Sequence, residues 1–261
     1  MRHRILGIFT AALTAIAACT TPATQPEWVS IFDGETLTGW TPKITGQELG
    51  ADPNEIFRAE DGVLYGAHDA FSVFAGEFGH LYFETPLSHY RLRFEYRFDG
   101  EQTAGGPAWA FMNSGVMVHA QAPETMRVDQ PFPISIEAQL LGKTDAQPNR
   151  TTANMCSPGT HVEIADTLMK RHCVSSQTPA AGPGDWVAFE IEVQGGTLIR
   201  LGINGAEALR LTDPQYDTND SDVVRLSLSG AVEAGYFALQ AESHPVAFRN
   251  IELMRLDPPA D

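Results

Sequence analysis

The chain has few cysteines, few basic residues and only one long apolar run. Each of these features excludes some classes of protein. Its 261 residues contain 17 Lys and Arg against 33 Asp and Glu, a formal net charge of −16. This excess of negative charge argues against nucleic acid and anionic lipid headgroups as partners. Beyond residue 18 no apolar stretch is long enough to cross a bilayer. The sequence also lacks a phosphate-binding glycine loop, a His-Glu-x-x-His pair and a nucleophile elbow, so it carries no motif of those three enzyme classes.

The N-terminus has the layout of a secretion signal for a lipoprotein. Arg2 and Arg4 precede an apolar run that ends in Ile-Ala-Ala-Cys over residues 16–19. This ending resembles a lipobox, in which the cysteine is lipid-modified and becomes the first residue of the mature protein. Ordinary signal cleavage beside an incidental cysteine is the alternative. The sequence therefore predicts a signal peptide over residues 1–18 and lipidation at Cys19.

The remaining chain divides into a tether, one domain and a short tail. Residues 19–27 are rich in Thr and Pro, as a flexible tether is. Residues 28–257 are long enough for one sizeable core, and residues 258–261 form a tail. Because Thr20 is not Asp, we expect the anchor in the outer membrane, facing the periplasm. The lipid anchor is then the only expected contact with the membrane.

Only two cysteines, Cys156 and Cys173, follow the lipobox. In an oxidising compartment the expected outcome is a disulfide between them. His161 and His172 lie close by in sequence, so a metal site is the alternative, but the spacing matches no paired zinc-knuckle pattern. The sequence therefore predicts a structural bridge and indicates no metal and no cofactor, while leaving a requirement for a divalent metal open.

Short segments of alternating polarity recur along the chain, separated by Gly, Pro, Asn and Asp. Asn204-Gly205 is a tight hairpin signal between two of them. The segments that alternate are 91–98, 113–119, 135–140, 186–193, 198–203, 236–240 and 246–254. Many such strands without helical periodicity predict an all-β protein, a sandwich or jelly roll of two antiparallel sheets.

Five short motifs spread over residues 29–256 carry a family resemblance. They are IFDGETLTGW (31–40), EDGVL (60–64), NSGV (113–116), IEAQLL (136–141) and FRNI (248–251). In this order they resemble the 3-keto-disaccharide hydrolase family. The resemblance implies a concanavalin-like jelly roll, related to laminarinase-type β-glucanases, that acts on sugars oxidised at position 3. One departure is QAESHP over residues 240–245, where many members have "gln-asp-his-gly". With the cysteine loop, it indicates a distinct branch in which the sugar and the linkage are not implied by the family.

Conventional glycosidases need two carboxyl groups at the scissile bond. The strand that corresponds to the catalytic strand of laminarinases has Glu137 but then Gln139, so it retains one carboxylate. A 3-keto sugar changes this requirement, because the ketone acidifies the hydrogen on carbon 2 and one base suffices for β-elimination. Glu137 and His119, on the polar sides of their strands, are the predicted base and acid, or the reverse. A solvated surface carboxylate and a surface histidine are the structural alternatives.

Five further residues are predicted to bind the substrate. Gln139, Asn113 and Arg97 are candidates to hold sugar hydroxyls or the developing oxyanion, and Trp109 to stack on a sugar ring. His244 is a candidate for a second catalytic or metal-binding histidine at the substrate. Each has a structural alternative: Arg97 can pair with an acidic neighbour, and Trp109 can belong to the core or its rim.

Three classes of function are compatible with the sequence. The leading hypothesis is an exported lipoprotein that cleaves 3-keto glycosides, with net hydrolysis by β-elimination and hydration. The alternative is a carbohydrate-binding jelly-roll module without catalysis. The third is a structural lipoprotein of the cell envelope. The first two hypotheses predict a carbohydrate partner, and none of the three predicts nucleic acid.

Overall fold

The computed structural model describes residues 26–258 as two antiparallel β-sheets packed face to face. The predicted signal peptide and Cys19 lie outside these residues. Within the described range there is one α-helix, α1 (Ser221–Arg225), and two 3₁₀ turns, Ala108–Ala110 and Pro123–Thr125. No helix in that range is both long and apolar enough to span a membrane.

Over residues 26–258, seventeen strands make up the two sheets. In chain order they are β1 (Val29–Ser30), β2 (Trp40–Ile44), β3 (Phe57–Glu60), β4 (Val63–Gly66), β5 (Gly79–Phe83), β6 (His89–Phe98), β7 (Asn113–Ala120), β8 (Ile136–Leu141), β9 (Asn154–Cys156), β10 (Thr160–Ile164), β11 (Thr167–Met169), β12 (Cys173–Val174), β13 (Val187–Gln194), β14 (Leu198–Ile203), β15 (Ala206–Tyr216), β16 (Tyr236–Ala241) and β17 (Val246–Arg255). The ten-stranded sheet has the order β11-β10-β15-β14-β13-β6-β17-β4-β3, with β1 paired to β17. The seven-stranded sheet has the order β12-β9-β8-β7-β16-β5-β2.

The main core lies between the sheets and follows from alternation along the strands. In β6 every second residue is buried, and β13 repeats the pattern beside it. Phe94 packs against Phe189 at 5.0 Å and against Phe248 at 5.5 Å between ring centroids. From the other sheet Val116 and Ile136 face the same core. Burial of this apolar surface, at roughly 25 cal/mol per Å², is the main stabilising contribution.

The predicted fold class is confirmed, and each of the seven predicted segments contains a strand of similar bounds. The predicted hairpin is also present between β14 and β15. There Asn204 has φ 50° and Gly205 has φ 79°, the left-handed pair that a tight two-residue hairpin requires.

The predicted disulfide joins Cys156 to Cys173. The two residues are directly paired across β9 and β12, so the bridge ties the edge strand to its neighbour. His172 lies near both sulfurs, but His161 is 3.6 Å from Asp217 instead.

The seven-stranded sheet is buried on both faces, unlike a typical antiparallel sheet with one solvated side. All residues of β5 and β7 are buried, as are all but one of β8. One face packs on the main core. On the other face a second apolar cluster forms, in which Met126 from the loop between β7 and β8 packs with Tyr82, Met117 and Ala238.

Candidate functional site

A layer of polar side chains lies on the covered outer face of the seven-stranded sheet. Residues that are directly opposite across paired strands share a face, so the register defines the layer. His80 of β5 lies opposite Gln240 of β16, and Gly115 of β7 lies opposite Gln139 of β8. Two residues further along the same face of β8, Glu137 lies opposite Met117 of β7 on one side and Cys156 of β9 on the other. The layer therefore runs across the four central strands.

Glu137 is buried in this layer, with 6% of its surface exposed. Burial without a compensating charge raises the pKa of Glu137 to about 8. The structural alternative of a solvated surface carboxylate therefore does not hold. A carboxyl with this pKa changes its charge near neutral pH, as a general acid or base must.

Glu242 adds a second carboxyl group that was not predicted from the sequence. It follows β16, is 2% exposed, and its Oε2 atom has no hydrogen-bond partner. Burial raises the pKa of Glu242 well above its usual value, and the negative charge of Glu137 raises it further, whereas Arg150 lowers it. The departure from the family motif at residues 240–245 is the sequence feature that could have indicated Glu242. The site therefore holds two buried carboxyl groups, and the charge of Glu137 acts on Glu242.

Arg150 supplies positive charge near Glu242 and His244. Its Nη1 atom donates hydrogen bonds to the carbonyl oxygens of Phe111 at 2.6 Å and Gly142 at 3.0 Å. These bonds tie the loop after β8 to the segment before β7. The charge acts on Glu242, as described, and helps to lower the pKa of His244.

Several buried polar atoms of the site have no hydrogen-bond partner within the protein. Both ring nitrogens of His80 and of His244 are unpaired, as are both side-chain polar atoms of Gln240 and the Oδ1 atom of Asn113. Burial lowers the pKa of His80 to about 3 and that of His244 to about 4, so both rings are neutral at pH 7. An unpaired buried polar atom costs about 1–3 kcal/mol, so this cluster offers donors and acceptors that a polar ligand can satisfy.

Aromatic side chains cover this layer. Phe132, from the loop between β7 and β8, packs against Phe78 at 4.8 Å and His80 at 5.9 Å between ring centroids. Trp109 stacks on Phe78 at 5.7 Å with an interplanar angle of 15°. Since Trp109 is 53% exposed, it presents an open aromatic surface at the edge of the polar layer.

His119 does not join Glu137, contrary to the prediction. The register between β7 and β16 shifts near His119, whose φ of 49° marks a bulge. The bulge turns its side chain away from the polar layer, so that its Nε2 atom lies 3.0 Å from the carbonyl oxygen of Gly195, in the turn between two strands of the opposite sheet. Burial lowers the pKa of His119 to about 4. The prediction that His119 lies beside Glu137 as its acid or base is therefore wrong about the position of His119.

Arg97 is also placed elsewhere. It lies on the outer face of β6, in the ten-stranded sheet, where it pairs with Asp99 at 2.5 Å. Its guanidinium carbon lies 4.5 Å from the ring centroid of Trp186. Arg97 is thus on the opposite sheet from Glu137, and the structural alternative of an ion pair is correct for it.

The other predicted binding residues lie around the polar layer. Asn113 donates from Nδ2 to the carbonyl oxygen of Trp109 at 3.2 Å, and Gln139 accepts from Asn154 at 3.2 Å. His244 packs against Phe111 at 4.8 Å between ring centroids. Their predicted contacts with a substrate stay predictions.

Among the described residues, one group of three potential metal ligands comes close together, formed by Cys156, His172 and Cys173. Because the two sulfurs are joined in the disulfide, they are not thiolates that could hold an ion.

Comparison with known proteins gives one family match and several structural likenesses. The family model described as "3-keto-alpha-glucoside-1,2-lyase-like domain" matches residues 27–254. A protein from Parabacteroides distasonis ATCC 8503, provisionally assigned as a glycosyl hydrolase, superposes with a TM-score of 0.51 at 17% identity, covering 88% of this chain and 100% of that one. A Bacillus subtilis protein of unknown function with a galectin-like fold superposes with a TM-score of 0.52 at 11% identity, covering 85% and 92%. At these identities the likeness concerns the fold alone. No curated protein matches the chain in sequence.

Proposed function

The chain belongs to the 3-keto-alpha-glucoside-1,2-lyase-like domain family, and from this premise we propose that it cleaves 3-keto glycosides by β-elimination, with Glu137 as the base. The observation that carries the proposal is the position of Glu137. It is a buried carboxyl with its pKa raised to about 8, within a layer of unpaired polar atoms.

The reaction begins at carbon 2 of the oxidised sugar, whose hydrogen is acidified by the ketone at carbon 3. Glu137 takes this proton, and the electron pair of the broken C–H bond moves toward the ketone to form an enolate. The enolate then expels the glycosidic oxygen from carbon 1, leaving a double bond between carbons 1 and 2. Glu242 gives a proton to the departing oxygen. Addition of water across the double bond completes net hydrolysis.

Elimination fits these carboxyl groups better than displacement does. A retaining glycosidase needs an ionised carboxylate as nucleophile beside a protonated acid. Here burial favours the neutral form of both Glu137 and Glu242. A base whose pKa lies near the working pH is suited to removing a proton from carbon, and a partner that stays protonated is suited to act as the acid.

The surrounding groups fit the remaining needs of this reaction. Negative charge develops on the ketone oxygen, and Arg150 provides positive charge in the site. The unpaired atoms of His80, Gln240 and Asn113 provide partners for sugar hydroxyls. Trp109 offers an exposed ring on which a sugar can stack.

Incubation with a 3-keto-disaccharide, followed by chromatography of the products, tests the proposal. We expect release of the second sugar from the oxidised substrate and none from the same disaccharide with an intact 3-hydroxyl, which has no acidified hydrogen. Glu137→Gln should abolish release, since positioned acid–base catalysis contributes about 10²–10⁴-fold. Binding of either sugar without turnover would contradict the proposal and favour a carbohydrate-binding module.

We propose in addition that the protein is exported and anchored to the outer membrane through Cys19, facing the periplasm. The lipobox-like segment at residues 16–19 supports this location. The bridge between Cys156 and Cys173 is compatible with it, because disulfides persist in oxidising compartments.

A further inference from the structure

Gly115 lies at the centre of the polar layer, on β7 beside Glu137. A Cβ atom built on Gly115 would lie 2.8 Å from both Cγ and Oε1 of Glu137 and 3.2 Å from its Cδ atom. These are the three nearest atoms, and all belong to Glu137. The side chain of Glu137 therefore occupies the space that any other residue at position 115 would fill.

The backbone of Gly115 does not itself require glycine. Its φ lies outside the left-handed region that favours this residue. Glycine inside a strand weakens the strand, and where the backbone is ordinary it marks a close approach of another group. Here the approaching group is the Glu137 side chain.

We propose that Gly115 is a positioning residue, whose missing side chain leaves the space in which Glu137 is held in its buried, proton-abstracting position. This role rests on the proposed function. In Gly115→Ala the added methyl group would push the Glu137 carboxyl away from β7. A misplacement of about 1 Å can cost on the order of 10²-fold in rate, because the base must meet the reacting hydrogen in a narrow range of geometry.

The test compares the variants Gly115→Ala, Glu137→Ala and their combination. The control is Gly79→Ala in the same sheet, where a Cβ atom would lie 2.9 Å from Ile44 and Phe57 in the main core. Its crowding is similar, but it does not involve Glu137. For each variant we would measure kcat, KM and the pH dependence of kcat/KM on a 3-keto-glucoside, together with stability to urea.

We expect Gly115→Ala to lower kcat by at least ~10-fold with KM changed by less than ~3-fold. The limb of the pH profile that belongs to Glu137 should move to lower pH, because a carboxyl pushed toward solvent loses the burial that raises its pKa. Gly79→Ala should keep the wild-type profile. The stability lost in Gly115→Ala should be regained when Glu137→Ala removes the obstructing atoms. If Gly115→Ala does not fold, the double variant must fold.

A wild-type kcat and pH profile in Gly115→Ala would overturn the positioning role, as would a stability loss that persists in the double variant. Activity retained by Glu137→Gln would overturn the proposed function and this role with it. An inactive Glu137→Gln without stability coupling between the two positions would overturn the role of Gly115 alone.

Discussion

Replacing Glu137 by glutamine should make the protein more stable at high pH while it abolishes turnover. Folding raises the pKa of Glu137 from 4.5 to about 8 because the carboxyl is buried. Between these two values the folded state keeps a proton that the unfolded state releases. The free energy of unfolding therefore falls as the pH rises through this window, by about 1.4 kcal/mol per pH unit where the difference is complete. The loss reaches on the order of 3 kcal/mol at pH 7 and about 5 kcal/mol at pH 9.

Glutamine has nearly the same shape as glutamate but does not ionise. The free energy of unfolding of Glu137→Gln therefore does not fall with pH in this way. Urea unfolding at pH 5, 7 and 9 measures the difference directly, with Glu233→Gln, an exposed glutamate, as the matched control. We expect the advantage of Glu137→Gln over the wild type to grow with pH, and the control to show no such growth. An advantage that is absent at pH 9, or that does not change with pH, would refute the argument that Glu137 is buried without a compensating charge.

Four further outcomes are expected. Reducing the bridge between Cys156 and Cys173 should lower the Tm by roughly 6–12 °C in calorimetry, since a loop of this size contributes about 3 kcal/mol; an unchanged Tm would contradict this. His119→Gln should keep kcat within ~10-fold in a turnover assay, because the ring faces away from the site; a loss of ~10²-fold or more would restore its catalytic role. Glu242→Gln should slow release of a poor leaving group more than that of a nitrophenol, which needs no acid; equal slowing would remove Glu242 as the acid. Cys19→Ala should move the protein from the membrane to the soluble fraction, and an unchanged mass and fractionation would refute lipidation.

The fold could be predicted because alternation with a period of two is a local property of the chain. Arg91 to Phe98 places its apolar residues on one face whatever the partner strands are, and the same holds for β8 and β13. The direction in which Glu137 points follows from this alternation. Its burial does not, because the cover comes from the loop between β7 and β8, and the packing of that loop is a tertiary effect.

The positions of four residues of the site could not be predicted, and each case has a specific physical reason. A bulge adds one residue to a strand and reverses the face on which the later residues of that strand lie, so His119 was assigned to the wrong side by simple alternation. Arg97 alternates correctly within β6, but alternation does not reveal which of the two sheets a strand joins. Glu242 lies just past the end of β16, and Arg150 lies in the loop between β8 and β9. Outside a strand, the alternation of polar and apolar residues does not predict where a side chain points. Only the three-dimensional fold brings Glu242 near Glu137, and Arg150 near Glu242.

Deuterium labelling at carbon 2 tests the central claim, that Glu137 removes the hydrogen from carbon 2. When the wild-type protein cleaves a 3-keto-glucoside in D₂O, elimination and hydration should leave deuterium on carbon 2 of the released 3-keto-glucose, visible by mass spectrometry and NMR. The 3-keto-glucoside left without protein corrects for spontaneous exchange next to the ketone. We predict labelling in step with turnover, and loss of both in Glu137→Gln. Cleavage and labelling that both persist in Glu137→Gln would contradict the claim.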